Sequence, residues 1–341
     1  MTMLLNSKGE KVSSSEVFSA RELENQSVLK NSITRQTGLE IDITNLTFVI
    51  QQVSEQKFYE LPLADYMPIS VGKGAWAPSI TKYREFVNGS SFEDGFVGVA
   101  RESRLEETDA YIDALTIKTH NWAKTNVWNL FDIEYASRSG VWDIVDAKAR
   151  SRKKNWDLGI QKLLFLGANG NTGLLNDANT TINQTLMKEH LKDMTDAQFN
   201  QFVAGVVGAF RLNCQYTAMP NRLVIPESDF TGLSTYVSAL NPNLTRLQYL
   251  ENALKGTTMR NDFKILPSVY CQSSFGTLTN DRYALYNCDA DTLELNIPVQ
   301  YTATQMQSIE GFNFQNVAYG QVADLLIVRP RELLYFEIDN G

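Results

Sequence analysis

Residues 164–176 read LFLGANGNTGLLN, an apolar helix end running into glycines at 167, 170 and 173, with Lys162 just upstream. Such a loop either cradles a phosphate or lets the chain turn. A P-loop puts lysine directly after its last glycine, followed by Ser or Thr. Here Leu174 and Leu175 follow Gly173, and the lysine precedes the first glycine. A dinucleotide fingerprint needs G-x-G-x-x-G between a strand and the start of a helix. These glycines are spaced by three and follow a helix instead. Both phosphate mechanisms use backbone N–H groups at a helix N-terminus, whereas a loop leaving a helix C-terminus meets carbonyl groups. The stretch therefore reads as a helix stop at Gly167 followed by a turn. A nucleotide-binding enzyme built on the Gly167–Gly173 loop is the remote alternative.

The helix that stops there is the longest candidate in the chain, from about Asp132 to Phe165. Val141, Val145, Ala149, Trp156, Ile160 and Leu164 keep a helical spacing, broken only where Arg152 sits. Gly140 and Gly159 are tolerated defects at about 1 kcal/mol each. The expectation is one rod of roughly 34 residues and about 50 Å.

Working outward toward the N-terminus, residues 76–131 read as strand and turn. Asn88-Gly89 and Asp94-Gly95 are turn signals between aromatic and β-branched runs. Tyr111, Asp113, Leu115, Ile117 and Thr119 alternate with Ile112, Ala114 and Thr116, and neither side is cleanly polar. A long hairpin with apolar residues on both faces needs partners on both, from its own domain in a monomer or from neighbours in an assembly. Pro62 and Pro68 predict an extended connection before it. Earlier still, Leu39, Ile43, Leu46, Ile50 and Val53 lie on one helical face. Residues 1–35 are Ser-, Asn-, Lys- and Glu-rich with no sustained period. They form an arm unable to offset its chain entropy alone.

Beyond the glycine loop, Thr195 and Gln198 form a capping box ahead of the stripe Phe199, Phe202, Val203, Val206 and Phe210. RLVIP (222–226) reads as a buried strand, followed by short helices near 228–238 and 244–254 and a strand within 262–270. The last 60 residues are strand-rich, and no internal repeat is visible. Helices and strands come in blocks, which is α+β rather than βαβ alternation.

Composition excludes several functions. Hydrophobic residues at 43% and charged residues at 21% describe a folded chain. No apolar run reaches the length of a membrane span and no secretory signal is evident, so a cytoplasm-like compartment is expected. A net charge of −8 gives no general attraction to nucleic acid. The one basic run, KARSRKK (148–154), spreads over more than one helical face and reads as solvated surface. Cys214, Cys271 and Cys288 are widely spaced with no CxxC pair, so reduced thiols are expected. With only His120 and His190, a multi-histidine metal site is close to excluded. No catalytic, cofactor-binding or metal-ligating residue is singled out.

The order of arm, long hairpin, long helix ending in LFLGANGNTGLLN, mixed α+β segment and strand-rich return resembles the major capsid proteins of tailed phages. Their fold is the Hong Kong 97 type, shared by encapsulins. GLLN (173–176) is similar to a sequence common in these proteins, as is an RLVIP-like strand leading into a short helix. DADTLELNIP (289–298) and VRPRELLYFEI (328–338) resemble their closing strands. The resemblance implies an N-terminal arm at 1–75, an extended loop at 76–131 and a peripheral domain with a spine helix at 132–184. It further implies an axial domain at 185–310 and C-terminal strands returning to the peripheral domain at 311–341.

The function it implies is structural. The chain would be a head-shell subunit assembling with itself, as hexamers and pentamers, into an icosahedral virion shell around double-stranded DNA, with no enzyme activity, cofactor or membrane. A scaffolding protein, a portal and a decoration protein are the further partners it suggests. An encapsulin-type compartment loading an enzyme cargo is the alternative. Some relatives carry an N-terminal scaffolding segment that is cleaved; about 35 arm residues here lead to the expectation of a separate scaffold or none. Some form Lys–Asn cross-links, for which Lys73, Lys82 and Lys118 lie in the hairpin region without any being singled out.

Overall fold

A computed structural model describes residues 4–5, 11–12, 57–88, 109–139, 143–167, 172–237, 243–275, 278–309 and 311–338. The chain divides into two compact units, Met1–Gln56 and Lys57–Gly341. In the first, strands β1 (Leu4–Leu5) and β2 (Lys11–Val12) pair antiparallel. The expected helical stripe Leu39–Val53 lies outside the described residues, as do Gly89 and the Asp94-Gly95 turn.

The second unit opens with a one-turn helix, α1 (Leu63–Tyr66), where an extended connection is expected from the prolines. Pro62 serves as its N-cap, and Met67, ahead of Pro68, is already extended. Proline lacks an N–H, which the start of a helix does not need, so it opens this turn as readily as it ends one. Tyr66 and Met67 are buried, and β3 (Ile69–Val71) follows. Then come β4 (Ser79–Asn88) and the 21-residue β5 (Asp109–Asn129).

The single rod expected from Asp132 to Phe165 is instead two helices, α2 (Leu130–Ser139) and α3 (Ile144–Leu166). Asp143 makes the break: its backbone is extended, and its side chain accepts from the N–H groups of Val145 and Asp146. An N-cap at this position starts a new helix whatever the apolar spacing around it. At 23 residues, α3 is about 35 Å long. Arg152 does not interrupt its inward stripe but belongs to it, at 4% exposure. The guanidinium donates to Asn316 O at 2.6 Å, Lys124 O at 3.3 Å and Tyr301 Oη at 3.1 Å. Carbonyl and hydroxyl oxygens take the place of a carboxylate around this buried cation.

The remaining elements are β6 (Thr181–Asn183), α4 (Asp196–Asn213), β7 (Arg222–Pro226), α5 (Glu227–Thr235), α6 (Arg246–Thr258) and β8 (Lys264–Ser268). They are followed by β9 (Arg282–Tyr286), β10 (Leu293–Ile297), β11 (Val299–Ala303), β12 (Gln307–Ile309), β13 (Asn313–Ala323), β14 (Leu326–Ile327) and β15 (Leu333–Glu337). The Thr195–Gln198 capping box opens α4 as expected, and Thr245–Gln248 repeats the device at α6.

A central sheet runs β6-β15-β9-β7-β8, with parallel outer pairs and antiparallel inner ones. Both of its faces are covered, which is why Leu223–Pro226 of RLVIP form an unbroken apolar run instead of alternating. Val224, Ala284, Tyr286, Leu333 and Tyr335 join a core with Trp156, Ile160, Leu163 and Leu164 of α3. Leu223, Ile225, Tyr283, Leu285, Leu334 and Phe336 join a second core with the α4 stripe and with Leu250 and Leu254 of α6. A second sheet runs β11-β13-β5-β4, with β12 also on β13, and a small one runs β14-β10-β3. Gly320 of β13 lets α3 approach: a Cβ there would lie 2.5 Å from the Trp156 ring.

Candidate assembly surfaces

The glycine stretch is a helix cap. Gly167 takes a positive φ of 69° as the residue after α3. The last four carbonyls of the helix are then all satisfied. Gly167 N–H donates to Leu163 O, Leu174 N–H to Leu164 O at 2.8 Å, and Leu175 N–H to Phe165 O at 3.0 Å. The Asn176 amide donates to Leu166 O at 2.6 Å. The returning chain passes so close that a Cβ on Gly173 would lie 2.4 Å from Gly167 N and 2.6 Å from Phe165 C. The loop thus closes over carbonyl groups, the wrong polarity for a phosphate. Gly170 lies outside the described residues.

Cations of the basic run are mostly engaged within the chain. Lys148 Nζ donates to Val127 O at 2.8 Å, Arg150 pairs with Asp146 at 2.7 Å, Arg152 is buried and Lys154 pairs with Glu60. Lys153 is left exposed. The cysteines are unpaired, and burial pushes the Cys271 and Cys288 thiols up, away from the reactive thiolate.

His120 Nε2 lies 2.7 Å from Asp324 Oδ1 at the root of the hairpin. His190 Nδ1 lies 3.3 Å from Tyr283 Oη, 3.9 Å from Asp229 and 4.0 Å from Asp281. Asp229 is fully buried, and that burial raises its pKa against the lowering effect of the Tyr283 hydroxyl it accepts from. It also accepts from Leu191 N–H at 3.0 Å, tying the turn before α4 to α5 and the central sheet. Among the described residues no group of three or more His, Cys, Asp or Glu side chains is placed to hold a metal ion. Nor is any described helix long and apolar enough to cross a membrane.

The described surface leaves apolar side chains exposed at several points, and two such places lie along β5. The first is the hairpin. Ser79–Asn88 pairs with Asp109–Lys118, while the second half of the same strand, Thr119–Asn129, pairs with β13. One continuous strand therefore belongs to both ribbon and body. Opposed residues share a face, so Lys82/Leu115 and Arg84/Asp113 point one way and Thr81/Thr116 and Tyr83/Ala114 the other.

The first face meets the protein's own body. Lys82 Nζ donates to Ala290 O at 2.8 Å and lies 3.7 Å from Asp291, and Arg84 donates to Val328 O at 3.0 Å. Crevices of about 640 and 780 Å³ lie beside these latches, with Arg84 lining both. Of the two sources expected for such partners, the chain's own body supplies this face. On the other face, Tyr83 is 71% exposed and Ile112 70% exposed. Of the lysines considered for cross-links, Lys82 is engaged in the latch, while Lys73 and Lys118 are exposed.

The second place is an aromatic patch where β5 ends, which the sequence reading missed. Leu130, Phe131, Tyr135, Ile309 and Phe312 are exposed. Phe131 meets Phe312 edge-on at 5.1 Å and lies 6.4 Å from Tyr135. Leu130 N–H donates to Phe312 O at 3.1 Å. Phe131 and Tyr135 are four residues apart on α2, a spacing visible in the sequence. Its partner Phe312 comes from far along the chain, and no local pattern announces it.

Comparison with known proteins gives the family and the fold. The family described as Major capsid protein matches residues 99–338. No curated protein matches the chain. The capsid of Myoviridae Phage XM1 superposes with a TM-score of 0.73 at 16% identity, covering 89% of this chain and 100% of that one. The capsid of a native GTA particle computed with C5 symmetry gives 0.56 at 12% identity, covering 89% and 99%. A chain of Mycobacterium phage Ogopogo gives 0.54 at 12% identity, covering 86% and 96%. These likenesses show the Hong Kong 97-type fold, and the family match does not favour the encapsulin alternative. The chain belongs to the major capsid protein family of tailed phages, as a structural protein of the head shell.

Proposed function

We propose that the chain assembles with identical copies, as hexamers and pentamers, into a closed icosahedral head around double-stranded DNA, put together in the host cytoplasm. The observation that carries this reading is the ribbon's outer face. Tyr83 and Ile112 are large side chains left in water on a two-stranded ribbon, an element only marginally stable by itself. A neighbouring copy is the partner that would cover it, and the aromatic patch around Phe131 would meet another. In this scheme residues 1–75 act as the arm, 76–131 as the extended loop, 132–184 and 311–341 as the peripheral domain and 185–310 as the axial domain.

The net charge of −8 suits a wall that contains DNA without gripping it. Scaffolding, portal and decoration proteins are the further partners this function calls for. Electron microscopy of the purified protein, alone and with its scaffold, is expected to show hollow closed shells. A monodisperse monomer under both conditions would overturn the assembly.

A further inference from the structure

Trp76, in the turn between β3 and β4, has a positive φ of 65°. That backbone conformation crowds a Cβ, and for so bulky a residue it is an outlier. The same turn shows what the backbone alone calls for: Gly72 and Gly74 take φ of 83° and 73°. A Cβ on Gly72 would meet nothing within 4 Å, so glycine is there for its conformation and not for lack of space. At position 76 the chain keeps an indole instead and carries the strain. Gln321 of β13, 1% exposed, holds it there: Oε1 accepts from Trp76 N–H at 2.8 Å, and Nε2 donates to Ala77 O at 3.0 Å. Thr119 Oγ1 donates to the same carbonyl at 2.5 Å. The main chain is thus fixed while the ring is not packed. It approaches Tyr319 with centroids 5.8 Å apart and stays 64% exposed.

A side chain kept for its own fold is buried by that fold. Trp76 is not, and a strained, exposed aromatic points to a contact outside the chain. Its side of the sheet says which. Gly320 meets Trp156 of α3, so its neighbours Tyr319 and Gln321 point away from α3, and Trp76 lies with them. Trp122, opposite Gly320, faces α3, and alternation along β5 puts Ile112 on that same side. The exposed ribbon face and Trp76 are therefore unlike patches on opposite sides of one sheet. Ring-forming contacts between identical copies join unlike patches of this kind. We infer that Trp76 is a contact residue for a second copy of this chain, an anchor preformed by Gln321, whose backbone strain is retained for the ring it presents. The inference rests on the assembly proposed above. A rigid indole offers large apolar area at little entropy cost, which suits an interface anchor.

The test compares full-length Trp76→Gly, Trp76→Asn and Trp76→Phe with wild type by thermal unfolding and by the yield of closed shells in micrographs. Glycine and asparagine accept the left-handed backbone but lack the ring, whereas phenylalanine keeps a ring and the strain. The Gly and Asn variants are expected to melt within a few degrees of wild type, with shell yield down about tenfold or more. Trp76→Phe should keep most of the yield. Normal yield from the Gly and Asn variants would overturn the inference while leaving assembly intact. So would loss of their cooperative unfolding, which would make the ring part of the fold. A photoreactive benzoylphenylalanine in place of Trp76 identifies the occupant. Irradiated shells should give a covalent dimer of this chain; capture of a different protein, or no dimer, would overturn the inference. A wild type that forms no shells sinks the assembly reading, and this inference with it.

Discussion

A methyl group at Gly173 has nowhere to go, since the atoms it would strike are main-chain atoms of the last turn of α3. Gly173→Ala is therefore expected to cost about 2–4 kcal/mol, read from urea unfolding, because a backbone cannot yield as a flexible side chain does. The sequence announces the stop at Gly167 through composition alone. It does not announce the close approach at Gly173, which exists only once the chain has folded back to cap Leu164, Phe165 and Leu166. Arg152 was illegible for a related reason. A cation reads as a gap in an apolar stripe until the carbonyls that surround it are in place. Asp229 gives a pH-dependent test. Its folded pKa is raised by burial, so its stabilising contribution is full below its unfolded value and is lost as pH rises through the folded one. Asp229→Asn removes that dependence. The stability advantage of the wild type over the variant should fall as pH rises above the ordinary aspartate range in denaturation measurements.

Among the elements, the ribbon carries the clearest separation between folding and assembly. Tyr83 and Ile112 lie in water on the face away from the latches of Lys82 and Arg84. Replacing both with lysine should leave the melting temperature within a few degrees, since surface changes are usually within about 0.5 kcal/mol. The same double variant should abolish closed shells in micrographs; shells of normal yield would show that this face is not an interface. The alternation that defines the face was legible in the sequence. That one side rests on the protein's own body was not, because Ala290 and Val328 come from far along the chain. The break between α2 and α3 was legible in principle, as Asp143 is a good N-cap. Apolar spacing continuing across it hid the signal.

At the scale of the whole molecule, the two cores on opposite faces of the central sheet follow from patterns readable locally, the α4 stripe and the apolar run Leu223–Pro226 within β7. Block order sufficed to suggest the fold. The aromatic patch needed α2 and the turn before β13 to meet, and no spacing rule joins residues 131 and 312. The undivided β5 has a mechanical consequence. A pull on the ribbon's far end travels down one backbone into a ladder of 11 successive residue pairs with β13, and loads those bonds in shear instead of peeling them apart one by one. In the assembly proposed above, a neighbour gripping the ribbon would pull on a single backbone with no joint between ribbon and body.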